Sequence, residues 1–85
     1  NKTEIILNIK EKINRIIAET FKLDYKDICD DSGPANISEW DSFGQMNLVT
    51  SVEEEFSIEF EFEEIFQIFD SGTLINLVKN KLNNE

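Results

Sequence analysis

Histidine is absent from this sequence, and cysteine occurs once, at Cys29. Without histidine, neither a Ser-His-Asp triad nor a Cys-His pair can form, which excludes the common kinds of nucleophilic catalysis. A single cysteine excludes an intrachain disulfide and cannot supply the ligands of a structural zinc site. We therefore expect neither an enzyme nor a metal centre. Cys29 is expected to be a small buried apolar side chain.

Long apolar runs and a signal-peptide pattern are also missing, so the sequence predicts no membrane insertion. One unpaired cysteine suits a reducing compartment, and we expect a cytoplasmic protein. The length predicts one small domain, residues 1–85. Because a small domain without disulfides depends on its packed core, its stability must come from helix packing and from seven phenylalanines.

Basic residues are confined to residues 2–26 and to Lys79 and Lys81. Residues 27–78 contain thirteen acidic residues and no lysine or arginine, and the net charge is −10. This distribution argues against nucleic acid and anionic membranes as partners, because phosphate contacts need Lys and Arg. It favours a basic protein partner, although an acidic surface that only aids solubility has the same composition.

Apolar residues at helical spacing predict three main helices. The first covers residues 4–21, with Thr3 as its N-cap. The second covers residues 42–56, and the last follows the cap residues at 70–73. The apolar positions are Ile6, Ile9, Ile13, Ile16, Ile17 and Phe21 in the first helix, Leu48, Val49, Val52 and Phe56 in the second, and Leu74, Leu77, Val78 and Leu82 in the last.

Residues 22–38 show no sustained periodicity and predict a long loop that is rich in turn residues. An EF-hand calcium loop placed at Asp27 would have Cys29 at position 3 and Ser38 at position 12, where carboxylates are needed. We therefore reject a calcium site. The apolar residues expected to pin this loop to the core are Leu23, Tyr25, Ile28 and Ile37.

Residues 56–62 alternate between apolar and polar side chains, as a strand does. No second strand-like run exists to pair with them, and a single strand leaves its backbone groups unpaired. We predict instead an extended connector at 57–61, with Ile58 and Phe60 in the core, and a short helix at 62–69. The fold class is then all-α, a small four-helix bundle with three main helices, one short helix and a long first loop.

The long loop meets the second helix at Trp40-Asp41-Ser42-Phe43-Gly44-Gln45-Met46. Ser42 and Gln45 match a capping box, but Asp41 can also cap the helix and leave Ser42 exposed. Phe43 and Met46 lie on a row rotated away from the inward apolar row, so they are either partly exposed or complete the core. Gly44 costs ~1 kcal/mol relative to alanine, which a helix accepts where another group approaches closely or where the helix end is loose.

The sequence resembles the acyl carrier proteins over nearly its whole length. The most specific part is Trp40-Asp41-Ser42-Phe43, where the family has Asp-Ser-Leu at the start of the second helix. The segment Phe56-x-Ile58-x-Phe60 and the pair Thr73-Leu74 match family patterns at the connector and at the entry to the last helix.

The resemblance implies a carrier protein and not an enzyme. Ser42 would carry 4′-phosphopantetheine, transferred from coenzyme A by a phosphopantetheinyl transferase, and the thiol of that arm would hold an acyl or aminoacyl group as a thioester. Loading enzymes and downstream biosynthetic enzymes would be the partners of a monomeric carrier. The residues that partners would contact are Asp41, Phe43, Met46, Glu53 and Glu54.

Two features differ from many fatty-acid carriers. Phe43 stands where the family usually has leucine, and Gln45 and Asn47 make the early second helix less acidic. Fatty-acid, polyketide, peptide and amino-acid-modifying assembly all remain open, although the Gly-Gly-x-Ser pattern of peptidyl carriers is missing. The alternative function is an acidic helical adaptor that binds a basic protein partner without modification, with Ser42 only a cap.

Overall fold

Four α-helices and one short 3-10 helix form the architecture in a computed structural model, which describes the backbone of residues 2–83 and the side chains of residues 4–83. Within these residues there is no strand, so the predicted all-α bundle is confirmed. The elements are α1 (Lys2–Phe21), the 3-10 helix (Tyr25–Asp27), α2 (Ser42–Phe56), α3 (Phe62–Ile65) and α4 (Ser71–Asn83).

The core lies where α1 packs against both α2 and α4. The helical spacing places one apolar row of each helix inward, and burial of each large aliphatic side chain contributes ~1.5–3 kcal/mol relative to exposure. The buried residues that these three helices share in one cluster are Ile9, Ile13, Ile17, Phe21, Leu48, Val49, Val52, Leu74, Ile75 and Val78.

The helix ends agree with the sequence prediction at α2 and differ at α1. Helix α2 covers the predicted residues 42–56, whereas α1 begins at Lys2. Thr3 therefore lies inside the helix, and its prediction as N-cap is wrong. Helix α4 is capped by Asp70, whose Oδ1 accepts a hydrogen bond from the Thr73 amide at 2.8 Å.

The connector after α2 is extended as predicted, with Ile58 buried and Phe60 packed against the core. Helix α2 ends because Ser57 adopts a left-handed conformation, with φ of 54°. Helix α3 is shorter than the predicted 62–69 and ends at Ile65. The chain then turns, and this turn places Ile68 in the core.

The first loop has fewer apolar anchors than the sequence predicted. Ile37 is buried and Ile28 is partly buried, but Leu23 and Tyr25 are exposed. The Tyr25 ring lies on the surface, 5.3 Å from the Arg15 guanidinium carbon. Cys29 is exposed, so its prediction as a buried side chain is wrong.

None of the helices in the described part of the chain is both long and apolar enough to cross a membrane. Among the same residues, no group of three or more histidine, cysteine, aspartate or glutamate side chains is arranged to hold a metal ion.

Candidate functional site

Ser42 is the first residue of α2, and its side chain is exposed. Asp41 is the N-cap, because its Oδ1 accepts a hydrogen bond from the Gly44 amide at 2.9 Å. The capping box predicted for Ser42 and Gln45 is therefore wrong, and the second prediction, a cap by Asp41, is confirmed. Among the described residues, no hydrogen bond involves the Ser42 hydroxyl. This hydroxyl is available to another molecule.

Gln45 makes a different set of contacts from the predicted one. Its side-chain oxygen accepts a hydrogen bond from the indole nitrogen of Trp40. Its side-chain nitrogen donates to the Ile65 carbonyl at 2.8 Å. Trp40 is only 2% exposed and stacks on Phe21 with ring centroids 5.2 Å apart. The residue before the N-cap is thus fixed in the core, and the start of α2 is fixed with it.

Gly44 lies where α2 passes closest to the preceding loop and to α1. A Cβ atom at this position would overlap the Glu39 carbonyl oxygen and would lie 2.6 Å from Cε1 of Phe21. Of the two conditions that the sequence left open for Gly44, the structure shows the close approach. The absence of a side chain allows the loop to run directly beneath the first turn of the helix.

Gly44→Ala is therefore expected to lower the free energy of unfolding by ~1–3 kcal/mol, because overpacking forces neighbouring groups to move. Helix propensity alone predicts the opposite result, an increase of ~1 kcal/mol in the free energy of unfolding. Urea denaturation of the variant measures the difference. Gly72→Ala is the matched control, since a Cβ there meets nothing closer than 3.3 Å, and its change should stay within ~1 kcal/mol. A stabilised Gly44→Ala would contradict the packing argument.

Apolar side chains surround Ser42 on two elements. Phe43 is 85% exposed and Met46 is 51% exposed. Of the two alternatives that the sequence left open for these residues, the structure therefore shows exposure. Met46 lines a groove of about 590 Å³ between α2 and the α3 region, whereas Phe43 is not part of its lining. The residues that line the groove are Pro34, Trp40, Asp41, Ser42, Gln45, Met46, Phe62, Ile65, Phe66, Ile68 and Phe69.

Phe62, Phe66 and Phe69 are the site residues that the sequence did not predict. All three are more than 60% exposed, and the rings of Phe62 and Phe66 meet edge to face with centroids 5.0 Å apart. The signal for these residues in the sequence is its high number of phenylalanines, which we expected to stabilise the core. Exposed aromatic side chains next to a concave surface are typical of binding sites.

The two predicted acidic contact residues at the end of α2 differ in their environments. Glu54 is exposed. Glu53 is partly buried, and its carboxylate accepts a hydrogen bond from the Phe60 amide at 2.8 Å. Glu53 therefore also fixes the connector that leads to α3. Within the described residues, no ion pair joins a basic side chain to Asp41, Glu53 or Glu54.

Helix α3 carries a further acidic residue, Glu64, which has a basic partner. Its carboxylate lies 2.7 Å from the Lys81 ammonium of α4. This hydrogen bond to Lys81, together with one from the Glu61 amide, lowers the pKa of Glu64 below its ordinary value. Glu64 is thus held in its charged form as a tie between α3 and α4.

Comparison with known proteins gives one kind of match. No model of a known protein family matches the chain, and no curated protein matches its sequence. A solved structure does: the solution NMR structure of a holo acyl carrier protein from Geobacter metallireducens. The two sequences are 28% identical, the match covers 88% of this chain and 86% of the other, and the TM-score is 0.78.

In its fold, and over most of its length, the chain is similar to this acyl carrier protein. This similarity supports the sequence prediction of a carrier protein rather than an enzyme. The exposed Ser42 at the start of α2, the cap by Asp41 and the groove toward α3 together form the candidate site.

Proposed function

We propose that Ser42 carries 4′-phosphopantetheine, and that the protein delivers acyl or aminoacyl groups to biosynthetic enzymes. The observation that supports this most directly is the exposed Ser42 hydroxyl at the first position of α2, in a chain whose structural match is a holo acyl carrier protein. A hydroxyl that makes no hydrogen bond among the described residues can be modified without loss of internal hydrogen bonds.

The residues around Ser42 fit a phosphodiester. The group would lie at the N-terminus of a 15-residue helix, where the helix dipole and the free first-turn amides favour negative charge. Asp41 already satisfies the Gly44 amide, and the amides of Ser42 and Phe43 belong to the first helical turn, where N–H groups have no partner within the helix. The exposed position leaves space for the long arm.

When bound, the arm supplies a thiol that carries the acyl or aminoacyl group as a thioester. The residues of the chain hold and present it. Ser42 provides the attachment oxygen, Asp41 keeps the first turn of α2 in place, and Phe43 and Met46 form an apolar border on which a partner can pack. In the transfer, the Ser42 oxygen bonds to the phosphorus next to the pantetheine of coenzyme A, and adenosine 3′,5′-bisphosphate leaves. The sequence has no histidine and the Asp41 carboxylate caps α2, so we expect the transferase to supply the base that takes the hydroxyl proton.

The proposed partners are a phosphopantetheinyl transferase, a loading enzyme and downstream biosynthetic enzymes. Residues 27–78 of the chain contain thirteen acidic residues and no basic ones. We therefore expect each partner to bind the chain through a basic surface. Asp41 and Glu54 would supply exposed negative charge to these contacts. Glu53 would contribute through its charge while its carboxylate also binds the Phe60 amide.

The test begins with the unmodified protein, coenzyme A, Mg²⁺ and a broad-specificity phosphopantetheinyl transferase. Intact-mass measurement should show one phosphopantetheine adduct per chain. The same mixture without transferase is the control and should show none. Absence of an adduct with several different transferases would contradict the proposal and would favour an unmodified acidic adaptor.

Phe43→Ala is expected to weaken recognition while leaving the fold intact. Phe43 is 85% exposed, so the free energy of unfolding should change by less than ~0.5 kcal/mol. An exposed aromatic at the centre of an interface often contributes more than ~1.4 kcal/mol to binding. We therefore expect kcat/KM for loading by the transferase to fall at least about tenfold.

Tyr25→Ala is the matched control for this variant, because Tyr25 is an exposed aromatic residue of the first loop and does not belong to α2. Its loading rate should equal that of the native chain. A Phe43→Ala variant that loses more than ~1 kcal/mol of stability but is loaded normally would place Phe43 in the packing of the domain instead.

A further inference from the structure

The position of α3 relative to α2 depends on few contacts. Helix α1 packs extensively on α2 and α4, whereas α3 has no comparably extensive contact with another helix. It consists of only four residues, Phe62–Ile65, none of which is buried. Its apolar contacts with the core are those of the partly buried Ile65 and of the buried Ile58 and Ile68 on either side of it. Polar ties add to these contacts.

Two such ties reach α3 from different sides. The Glu64–Lys81 ion pair joins it to α4, with an Nζ to Oε1 distance of 2.7 Å. On the side of the groove, the Gln45 side chain of α2 donates to the Ile65 carbonyl at 2.8 Å and lies 3.5 Å from the Ile68 carbonyl. Only the Gln45 tie lies in the wall of the groove beside Ser42.

The orientation of the Gln45 amide is determined by its partners. The Trp40 indole N–H can only donate, so the amide oxygen must face it, and the amide nitrogen then faces the two carbonyls. Trp40 is itself fixed by stacking on Phe21. Gln45 thus connects a rigid part of the core to the backbone of a short, weakly packed helix.

We propose that Gln45 is the positioning residue that holds the α3 region against α2, and that it thereby sets the size of the groove beside Ser42. The remaining groove lining is largely apolar, with Phe62, Phe66 and Phe69 on the α3 side. A groove of this composition takes an apolar ligand, and the distance between α2 and α3 decides how much of that ligand enters. The link from groove size to choice of cargo rests on the proposed function, whereas the positioning role of Gln45 does not.

The test compares Gln45→Leu and Gln45→Glu with the native chain, all unmodified. Leucine removes both bonds of Gln45. Glutamate at neutral pH keeps an acceptor for Trp40 but removes the donor to the Ile65 carbonyl. Loss of one buried hydrogen bond corresponds to about a tenfold change in a local opening equilibrium. Hydrogen exchange at the Ile65 and Ile68 amides should therefore become about tenfold faster in both variants.

The Trp40 indole N–H separates positioning from general destabilisation. Its exchange should become faster in Gln45→Leu and stay near the native rate in Gln45→Glu. Amides in the middle of α1 and α4 should keep their native rates in both variants. Exchange that rises equally throughout the chain, or native rates at Ile65 and Ile68, would overturn the proposal.

Binding of the uncharged dye Nile red measures the groove itself. Gln45→Leu should change the dissociation constant at least about threefold relative to the native chain, since the groove wall on the α3 side is released. Asn47→Leu is the matched control, because Asn47 is an exposed polar residue of α2 outside the groove. This variant should bind Nile red with the dissociation constant of the native chain. Equal dye binding by the native chain and Gln45→Leu would overturn the claim on groove size. None of these measurements needs the arm on Ser42, so they stand apart from a failure of the modification test.

Discussion

Ser42→Ala abolishes the phosphopantetheine adduct and leaves the stability of the domain unchanged; this is the largest effect we expect. Among the described residues, the Ser42 hydroxyl makes no hydrogen bond, and Asp41 caps α2 through the Gly44 amide. Removal of the hydroxyl should therefore change the free energy of unfolding by less than ~0.5 kcal/mol. If Ser42 were the N-cap, the same substitution would cost ~1 kcal/mol.

Two other exposed serines serve as controls for the modification. Ser38 precedes α2, and Ser51 lies in its middle. Ser38→Ala and Ser51→Ala should each accept one adduct at the native rate, as measured by intact mass over time. An adduct that persists in Ser42→Ala would move the attachment site elsewhere in the chain, and peptide mapping would locate it.

Trp40→Ala is expected to lower the free energy of unfolding by ~3–5 kcal/mol, as truncation of a buried aromatic residue does. Trp40 is 2% exposed, stacks on Phe21 and donates to Gln45. A domain of this length has a total stability of roughly 4–13 kcal/mol, so the variant should be partly or largely unfolded at 25 °C. Urea denaturation followed by circular dichroism measures the loss.

Trp40→Phe separates the two causes of this stability loss, which are the missing aromatic ring and the missing hydrogen bond to Gln45. Phenylalanine keeps an aromatic ring on Phe21 but lacks the indole donor, and the unpaired Gln45 oxygen should cost ~1–3 kcal/mol. Phe69→Ala is the control, because Phe69 is 68% exposed and its loss should change stability by less than ~0.5 kcal/mol. A Trp40→Ala variant as stable as this control would show that Trp40 does not anchor the loop.

Local sequence patterns predicted much of the fold because helices are specified by neighbouring residues. The spacing of Leu48, Val49 and Val52 predicted the inward face of α2. The same pattern placed Phe43 and Met46 on a second row and left their exposure open. The predicted bounds of α2 agree with the structure. Each of these predictions depends on contacts within one or two helical turns.

Predictions failed where a residue had two possible partners. Asp41 and Ser42 are both good capping residues, and the sequence left the choice between them open. Gln45 was assigned to the local capping box because its alternative partner, the Ile65 carbonyl, lies 20 residues away in the chain. The exposure of Phe62, Phe66 and Phe69 also escaped prediction, because local spacing does not say which apolar residues of this region enter the core; Ile58 and Ile68 do so instead.

The sequence by itself determined that the domain is helical, that residues 27–78 lack positive charge, and that a serine without histidine partners stands at the start of α2. These are properties of composition and of short-range spacing. Only the tertiary structure decided that Asp41 is the cap and that Ser42 is free. It also decided that Gln45 ties α3 to α2 beside an apolar groove. The physical reason is that hydrogen bonds between distant segments form only after the core has brought those segments together.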